Sequence, residues 1–221
     1  MNLYATISAD IVASTSLSKD ALVELTTQVK GFLNEIAPHY AVGFWGRLVK
    51  GDSIECVMEH PKDALRIAIM LKALIKSVVP SDGITDPKFK QFGLRIAIGI
   101  GEMRLVDRKL DMMDGEAIYQ SGRALMDMQD KTKDSFQIVM KDDVTGGALP
   151  VISVLLNQII NKATSRQCET LYHRLQCRMD AEVAEKLNIT RPGVNQNLNN
   201  MGWDAIERSV NYFEQLKFEA K

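Results

Sequence analysis

The sequence predicts an α+β chain: a ferredoxin-like sheet domain over residues 1–143, followed by an all-α helix-turn-helix domain over residues 150–221. Short β-branched runs alternate with stretches of helical period, in the order β-α-β-β-α-β-α-β, as far as Lys141. The composition then changes to the paired glycines and proline of "DDVTGGALP", and no strand-like run follows. At 221 residues and 46% apolar content, the chain is long enough for two such units and apolar enough for a packed core.

The first run, Leu3 to Val12, is short and β-branched and gives way to Ser and Thr, which predicts a strand ending near Asp10. "SKDALVELTTQVKGFLNEIAPHY" changes to helical spacing, with Leu22, Leu25, Val29, Phe32, Leu33 and Ile36 on one face, Ser18 as N-cap and Pro38 as terminator. "AVGFWGRLVKGDSIECVMEH" predicts a hairpin whose turn uses Gly51 for a positive φ. From Pro61, "PKDALRIAIMLKALIKSVV" predicts a helix, "VPSDGITDPKFKQ" a loop, "GLRIAIGIGEMRLVD" a strand, "DGEAIYQSGRALMDMQ" a helix and "SFQIVMK" a strand. Helices are expected on one face of the resulting sheet. Gly99 and Gly101 lack the third glycine of a dinucleotide fingerprint and predict close backbone packing instead.

Beyond residue 150 every segment carries helical period. In "MDAEVAEKLNITRPGVNQNLNN", Asp180 is placed to cap one helix and Thr190 a second with Pro192 in its first turn. Val194 and Leu198 face back across small Ala184. This is the pattern of a helix-turn-helix, which would expose Arg191, Asn195, Gln196 and Asn199 to base edges or phosphates, with Arg166, Arg174 and Lys186 as further phosphate contacts. Trp203, Ile206, Val210, Phe213 and Leu216 form an apolar stripe suited to core or to a dimer seam.

Lys and Arg total 27 against 28 Asp and Glu, so no global field announces nucleic acid or membrane, and any basic surface must be local. No apolar run approaches the ~18 residues of a membrane span, and the opening residues lack a signal-peptide pattern, so a cytoplasmic protein without membrane partners is expected. Cys56, Cys168 and Cys177 have neither disulfide nor zinc spacing and read as buried small hydrophobes. His39, His60 and His173 lie singly and read as structural or solvated.

Asp10 and Asp52 end neighbouring strands of the predicted sheet, so their carboxylates converge at one edge. Paired carboxylates suit Mg²⁺ or Mn²⁺ holding a nucleotide's phosphates, and the small residues Ala13, Ser14 and Thr15 would let phosphate reach backbone N–H groups. A turn aspartate and a hairpin aspartate are the plainer alternative.

"ATISADIVASTSLS", "GRLVKGDSIECVM", "LRIAIGIGEM" and "DGEAIYQSGRAL" resemble, in order, the motifs of the class III nucleotide cyclase homology domain. The resemblance implies metal ligation by Asp10, the Ile11 carbonyl and Asp52, and places Arg123 where the family's arginine steadies the transition-state phosphate. It departs from the family at Leu48 and Met112, which replace base-selecting residues, and at Tyr119, which replaces an asparagine. With "TSRQCETLYHRL" and the helix-turn-helix included, nearly the whole chain resembles the bacterial SatD family, which implies the two-domain plan. The expected function is a DNA-binding transcriptional regulator whose degenerate cyclase-like domain binds a nucleoside triphosphate and metal, with a homodimer pairing its reading heads. The alternative is a metal-dependent nucleotide cyclase or nucleoside triphosphate hydrolase.

Overall fold

A computed structural model describes residues 3–80, 86–131, 134–141, 145, 147–176 and 178–218. The elements run β1 (Tyr4–Ile11), α1 (Lys19–Gly31), β2 (Trp45–Val49), β3 (Ser53–Met58), α2 (Ala64–Ser77), α3 (Pro87–Phe92), β4 (Leu94–Gly101), β5 (Met103–Asp107), β6 (Met112–Gly115), α4 (Glu116–Lys131), β7 (Phe136–Met140), α5 (Ala148–Lys162), α6 (Ser165–Leu175), α7 (Asp180–Lys186), α8 (Arg191–Met201) and α9 (Trp203–Gln215). The main sheet has the order β2-β3-β1-β4-β7. Its first four strands pair antiparallel, the order a split β-α-β unit produces, and β7 adds parallel to β4. No helix among the described residues is long and apolar enough to cross a membrane.

Local chemistry sets several boundaries as the sequence predicts. The Ala21 amide donates to Ser18 Oγ at 3.3 Å, capping α1. Lys50 and Gly51 both take positive φ, 53° and 85°, in the turn between β2 and β3, the geometry that suits the twist of a tight hairpin. Other boundaries differ. The expected loop before β4 contains α3, begun by Asp86 accepting from the Lys88 amide at 2.6 Å. The single strand expected across 93–107 divides near Glu102 into β4 and β5, and β5 pairs with β6 in a separate ribbon. That ribbon folds toward the β2–β3 hairpin, where Arg47 bridges Glu55 and Asp111, and Arg108 donates to the Gly43 carbonyl.

Side chains alternate across the sheet. Ala5, Ile7, Ala9 and Ile11 of β1, Ile54, Cys56 and Met58 of β3, and Ile96, Ile98 and Ile100 of β4 enter one large core. On the opposite face Thr6, Ser8 and Asp10 alternate with them, and α4 covers that side: Ser121 Oγ lies 3.0 Å from Thr6 Oγ1 and 2.8 Å from Ser8 Oγ. The sheet is therefore covered on both faces. The expectation of helices on one face fails because Gly99 and the small residues beside it let α4 seat directly on the strands. A Cβ at Gly99 would stand 2.2 Å from the Ala117 carbonyl oxygen.

The large core continues into the chain beyond residue 148. Leu149, Leu156 and Ile160 of α5, Cys168, Leu171 and Leu175 of α6, and Ile206, Val210 and Phe213 of α9 join the cluster that holds β1 and β4. Helix α2 lies between the sheet and these helices, and every residue from Ala64 to Lys76 except Arg66 is buried. Helices α7 and α8 keep a small core of their own, from Val183, Ala184, Leu187, Val194 and Leu198. Gly99→Ala is expected to destabilise the chain by about 1–3 kcal/mol, the usual cost of an overpacked contact, read as a lower urea midpoint with an unchanged slope.

Candidate functional site

Three backbone segments meet where β1 ends. The Ile11 amide donates to the Asp52 carbonyl at 3.0 Å, and the Val12 amide donates to the Gly93 carbonyl at 3.0 Å. In the ladders Asp10 stands opposite Ser53 on one side and opposite Arg95 on the other. The chain then turns through Ala13, whose φ of 54° is left-handed, into a 3₁₀ turn over Ser14–Ser16. Asp10, Asp52, Ser14 and Arg95 thus share one edge.

The side chains there are partly satisfied among themselves. Arg95 Nη1 donates to Asp10 Oδ2 at 3.2 Å, and Ser14 Oγ donates to Asp52 Oδ2 at 2.8 Å. Asp10 Oδ1 is buried and has no hydrogen-bond partner. A buried carboxylate oxygen whose lone pairs accept no hydrogen bond favours either a proton or a cation. Burial accordingly raises the Asp10 pKa, with the Asp52 charge acting the same way, and outweighs the lowering effects of the Arg95 charge, of nearby Gln129 and of the Arg95 hydrogen bond.

This edge fits a divalent metal held jointly by protein and phosphate. Mg²⁺ commonly takes only one or two carboxylates and completes its shell with water and phosphate oxygens, and Asp10 and Asp52 are two carboxylates at one strand end. It does not fit a free-standing protein cage: no group of three or more His, Cys, Asp or Glu among the described residues is arranged to hold an ion. Arg95 and Gln129 are the members that sequence reasoning missed. The one available signal was a lone arginine inside the apolar run "GLRIAIGIG", since a charge in a buried strand demands a partner.

The remaining positions lie elsewhere. Ser14 belongs to the edge, whereas Thr15 beside it is exposed. Arg123 is exposed on α4 and lines a groove of 680 Å³ with Tyr119, Gln120, Gln137, Val139 and Lys141. That groove runs along β7, two strands from β1, so roughly 10 Å of sheet separates it from the acidic edge. Tyr119 donates its hydroxyl to the Asp114 carboxylate, which also pairs with Arg104. Leu48 packs against the large core, and Met112 is exposed on β6.

On α8, Thr190 Oγ1 accepts from the Gly193 amide at 3.2 Å, and Arg191, Asn195, Gln196 and Asn199 are all exposed. Asp180 begins α7 rather than capping it: the cap is Met179, whose amide donates to Glu182 Oε2 at 2.8 Å. Two cations expected to contact phosphate are engaged internally. Arg166 donates to the Leu187 carbonyl at 2.8 Å and pairs with Glu169, while Arg174 pairs with Asp180 at 3.3 Å and stacks on the Trp203 ring at 5.2 Å. They tie α6 to α7 and α9. His173 is structural: burial, with Lys186 and Arg178 nearby, lowers its pKa to about 4, so it is neutral at pH 7. Cys56 and Cys168 are free and buried, whereas Cys177 lies outside the described residues.

No family model matches the chain, and no curated protein matches it. Among solved structures, a bacterial light-regulated adenylyl cyclase overlaps 62% of this chain and 74% of its own at 14% identity and a TM-score of 0.42. The active GGEEF domain of a diguanylate cyclase from Vibrio cholerae overlaps 58% of this chain and 77% of its own, at 14% identity and a TM-score of 0.36.

The raised Asp10 pKa has a definite sign. A carboxyl that binds its proton more tightly folded than unfolded lowers stability above its folded pKa and adds stability as pH falls through that value. Metal-free Asp10→Asn is therefore expected to be at least as stable as the parent at neutral pH, with the difference closing on acidification. Denaturant midpoints of both proteins across that pH range check this.

Proposed function

We propose that the chain binds a nucleoside triphosphate with Mg²⁺ or Mn²⁺ at the Asp10–Asp52 edge and acts on it by phosphoryl chemistry, cyclising or hydrolysing it. The observation that carries this reading is the buried, unpartnered Asp10 Oδ1 beside a second carboxylate and a guanidinium on one sheet edge. Asp10, Asp52 and the Ile11 carbonyl would hold the ion. When bound, such an ion neutralises phosphate charge and polarises the phosphoryl oxygens. Arg95 pairs with Asp10 in the structure, and its planar fork also matches phosphate oxygens. Ser14 and Thr15 line the turn by which phosphate would approach the backbone. Leu48 and Met112 provide no base-selecting polar group in the positions the cyclase resemblance assigns, so weak discrimination between bases is expected.

Incubation with each ribonucleoside triphosphate and Mn²⁺, followed by chromatography, tests this. Turnover should occur with more than one base and fall by at least about 100-fold in Asp10→Asn and in Asp52→Asn, as loss of a charge-stabilising group in a phosphoryl site does. Full turnover in both variants would exclude the edge as the site.

A second reading, that the chain regulates transcription by binding DNA through α8, rests on a specific observation: α7 and α8 form a compact pair whose outer face presents Arg191, Asn195, Gln196 and Asn199. It ranks below the first because phosphate neutralisation dominates DNA affinity, and that face of α8 carries Arg191 as its cation while Arg166 and Arg174 are engaged elsewhere. In this reading the protein is a cytoplasmic homodimer with the two-domain plan that the SatD resemblance implies, and nucleotide binding alters the spacing of paired α8 helices. Arg191→Ala should then weaken DNA binding by about 1–3 kcal/mol if the arginine reads a base, measured by fluorescence anisotropy at fixed salt.

A further inference from the structure

Lys72 is fully buried on α2. Its Nζ donates to the Leu94 carbonyl at 2.5 Å, the Phe92 carbonyl at 2.9 Å and Ser135 Oγ at 2.9 Å, with the Ser135 carbonyl a fourth oxygen at 3.5 Å. These carbonyls flank Gly93, whose own carbonyl accepts from the Val12 amide of β1 at 3.0 Å. The segment linking α3 to β4 is therefore held from two sides, by Lys72 from the core and by β1 at the sheet edge. The next residue is Arg95, which reaches Asp10.

Ser135 continues the network into the C-terminal helices. Its amide donates to Asn157 Oδ1 of α5 at 2.8 Å. A lysine with no exposure is expensive to keep, and burial together with the neighbouring Lys76 charge drives its pKa well below the ordinary lysine value. A methionine would fill similar space without that penalty but would lose the bonds to the Phe92 and Leu94 carbonyls and to Ser135. What the lysine adds is the hold on the start of β4.

We propose that Lys72 is a positioning residue of the acidic edge, fixing the first residues of β4 so that Arg95 stays on Asp10. This rests on the reading of that edge as a metal–nucleotide site. Lys76 supplies a comparison one turn along α2. It is also buried and packs beside Gly93, but its Nζ donates to the Gln91 carbonyl at 2.6 Å and the Asn161 carbonyl at 3.1 Å and makes no hydrogen bond to β4.

The experiment compares Lys72→Met and Lys76→Met in the full chain. One readout is the guanidinium ¹⁵N–H signal of Arg95, assigned by its loss in Arg95→Lys; the other is affinity for Mn²⁺ with ATP. Both variants should melt at lower temperature. Lys72→Met alone should lose the slow exchange of the Arg95 signal and weaken Mn²⁺–ATP binding at least about tenfold, the scale of an outer-shell defect at a metal site. Lys72→Gln, which keeps an N–H donor, should recover part of both, and it carries the comparison if Lys72→Met does not fold. An unchanged Arg95 signal in Lys72→Met, or an equal loss in Lys76→Met, would overturn the proposal. If the parent binds no Mn²⁺–ATP, the nucleotide reading fails, while the Arg95 signal still decides the role of Lys72.

Discussion

Burial of α2 between the sheet and the C-terminal helices is the constraint on which most of the architecture depends. Its apolar residues meet β1 and β4 on one side and α6 and α9 on the other, so the stretch before residue 143 and the stretch after residue 150 complete one core. A helix buried on nearly every side cannot expose polar groups to water, and any polar group it carries must be satisfied within the fold. Lys72 and Lys76 meet that requirement with carbonyls from α3, β4 and α5. The same packing fixes where β4 begins, and so where Arg95 stands.

The acidic edge follows from strand register. Pairing β1 with both β3 and β4 sets Asp10 against Ser53 and Arg95 at once, and the tight turn after β2 delivers Asp52 to the same end. Arg95 compensates one oxygen of Asp10 and leaves the other buried and unpaired. Such an arrangement is frustrated without a further cation or proton, and local conflicts of this kind concentrate at functional sites, where they lower stability for the sake of binding. The groove holding Arg123 is a separate feature of the same sheet, formed where α4 passes over β7.

Features that depend on neighbouring residues were legible in the sequence. Ser18 and Thr190 cap the helices their spacing predicts and Lys50 and Gly51 make the expected turn; Asp10 and Asp52 reach one edge, but not as ends of neighbouring strands, because β3 lies between β2 and β1 and it is the turn into β3 that brings Asp52 to the end of β1. Features that depend on register or on distant packing were not. The Arg95 partner is set by an antiparallel ladder that crosses most of the sheet domain, and α4 sits on the second face because of a glycine whose role appears only beside Ala117. Charge alone also misdirected the reading of the C-terminal helices: Arg166 and Arg174 resemble phosphate contacts in sequence, yet both tie helices together.

The most direct test of the central claim is paramagnetic broadening of backbone amide signals by substoichiometric Mn²⁺, recorded with and without a nucleoside triphosphate. If the edge holds a metal together with phosphate, the amides of Ile11, Val12, Ser14 and Asp52 should broaden first, and markedly more with nucleotide present. Broadening centred on the α4–β7 groove, or none that depends on nucleotide, would contradict the account.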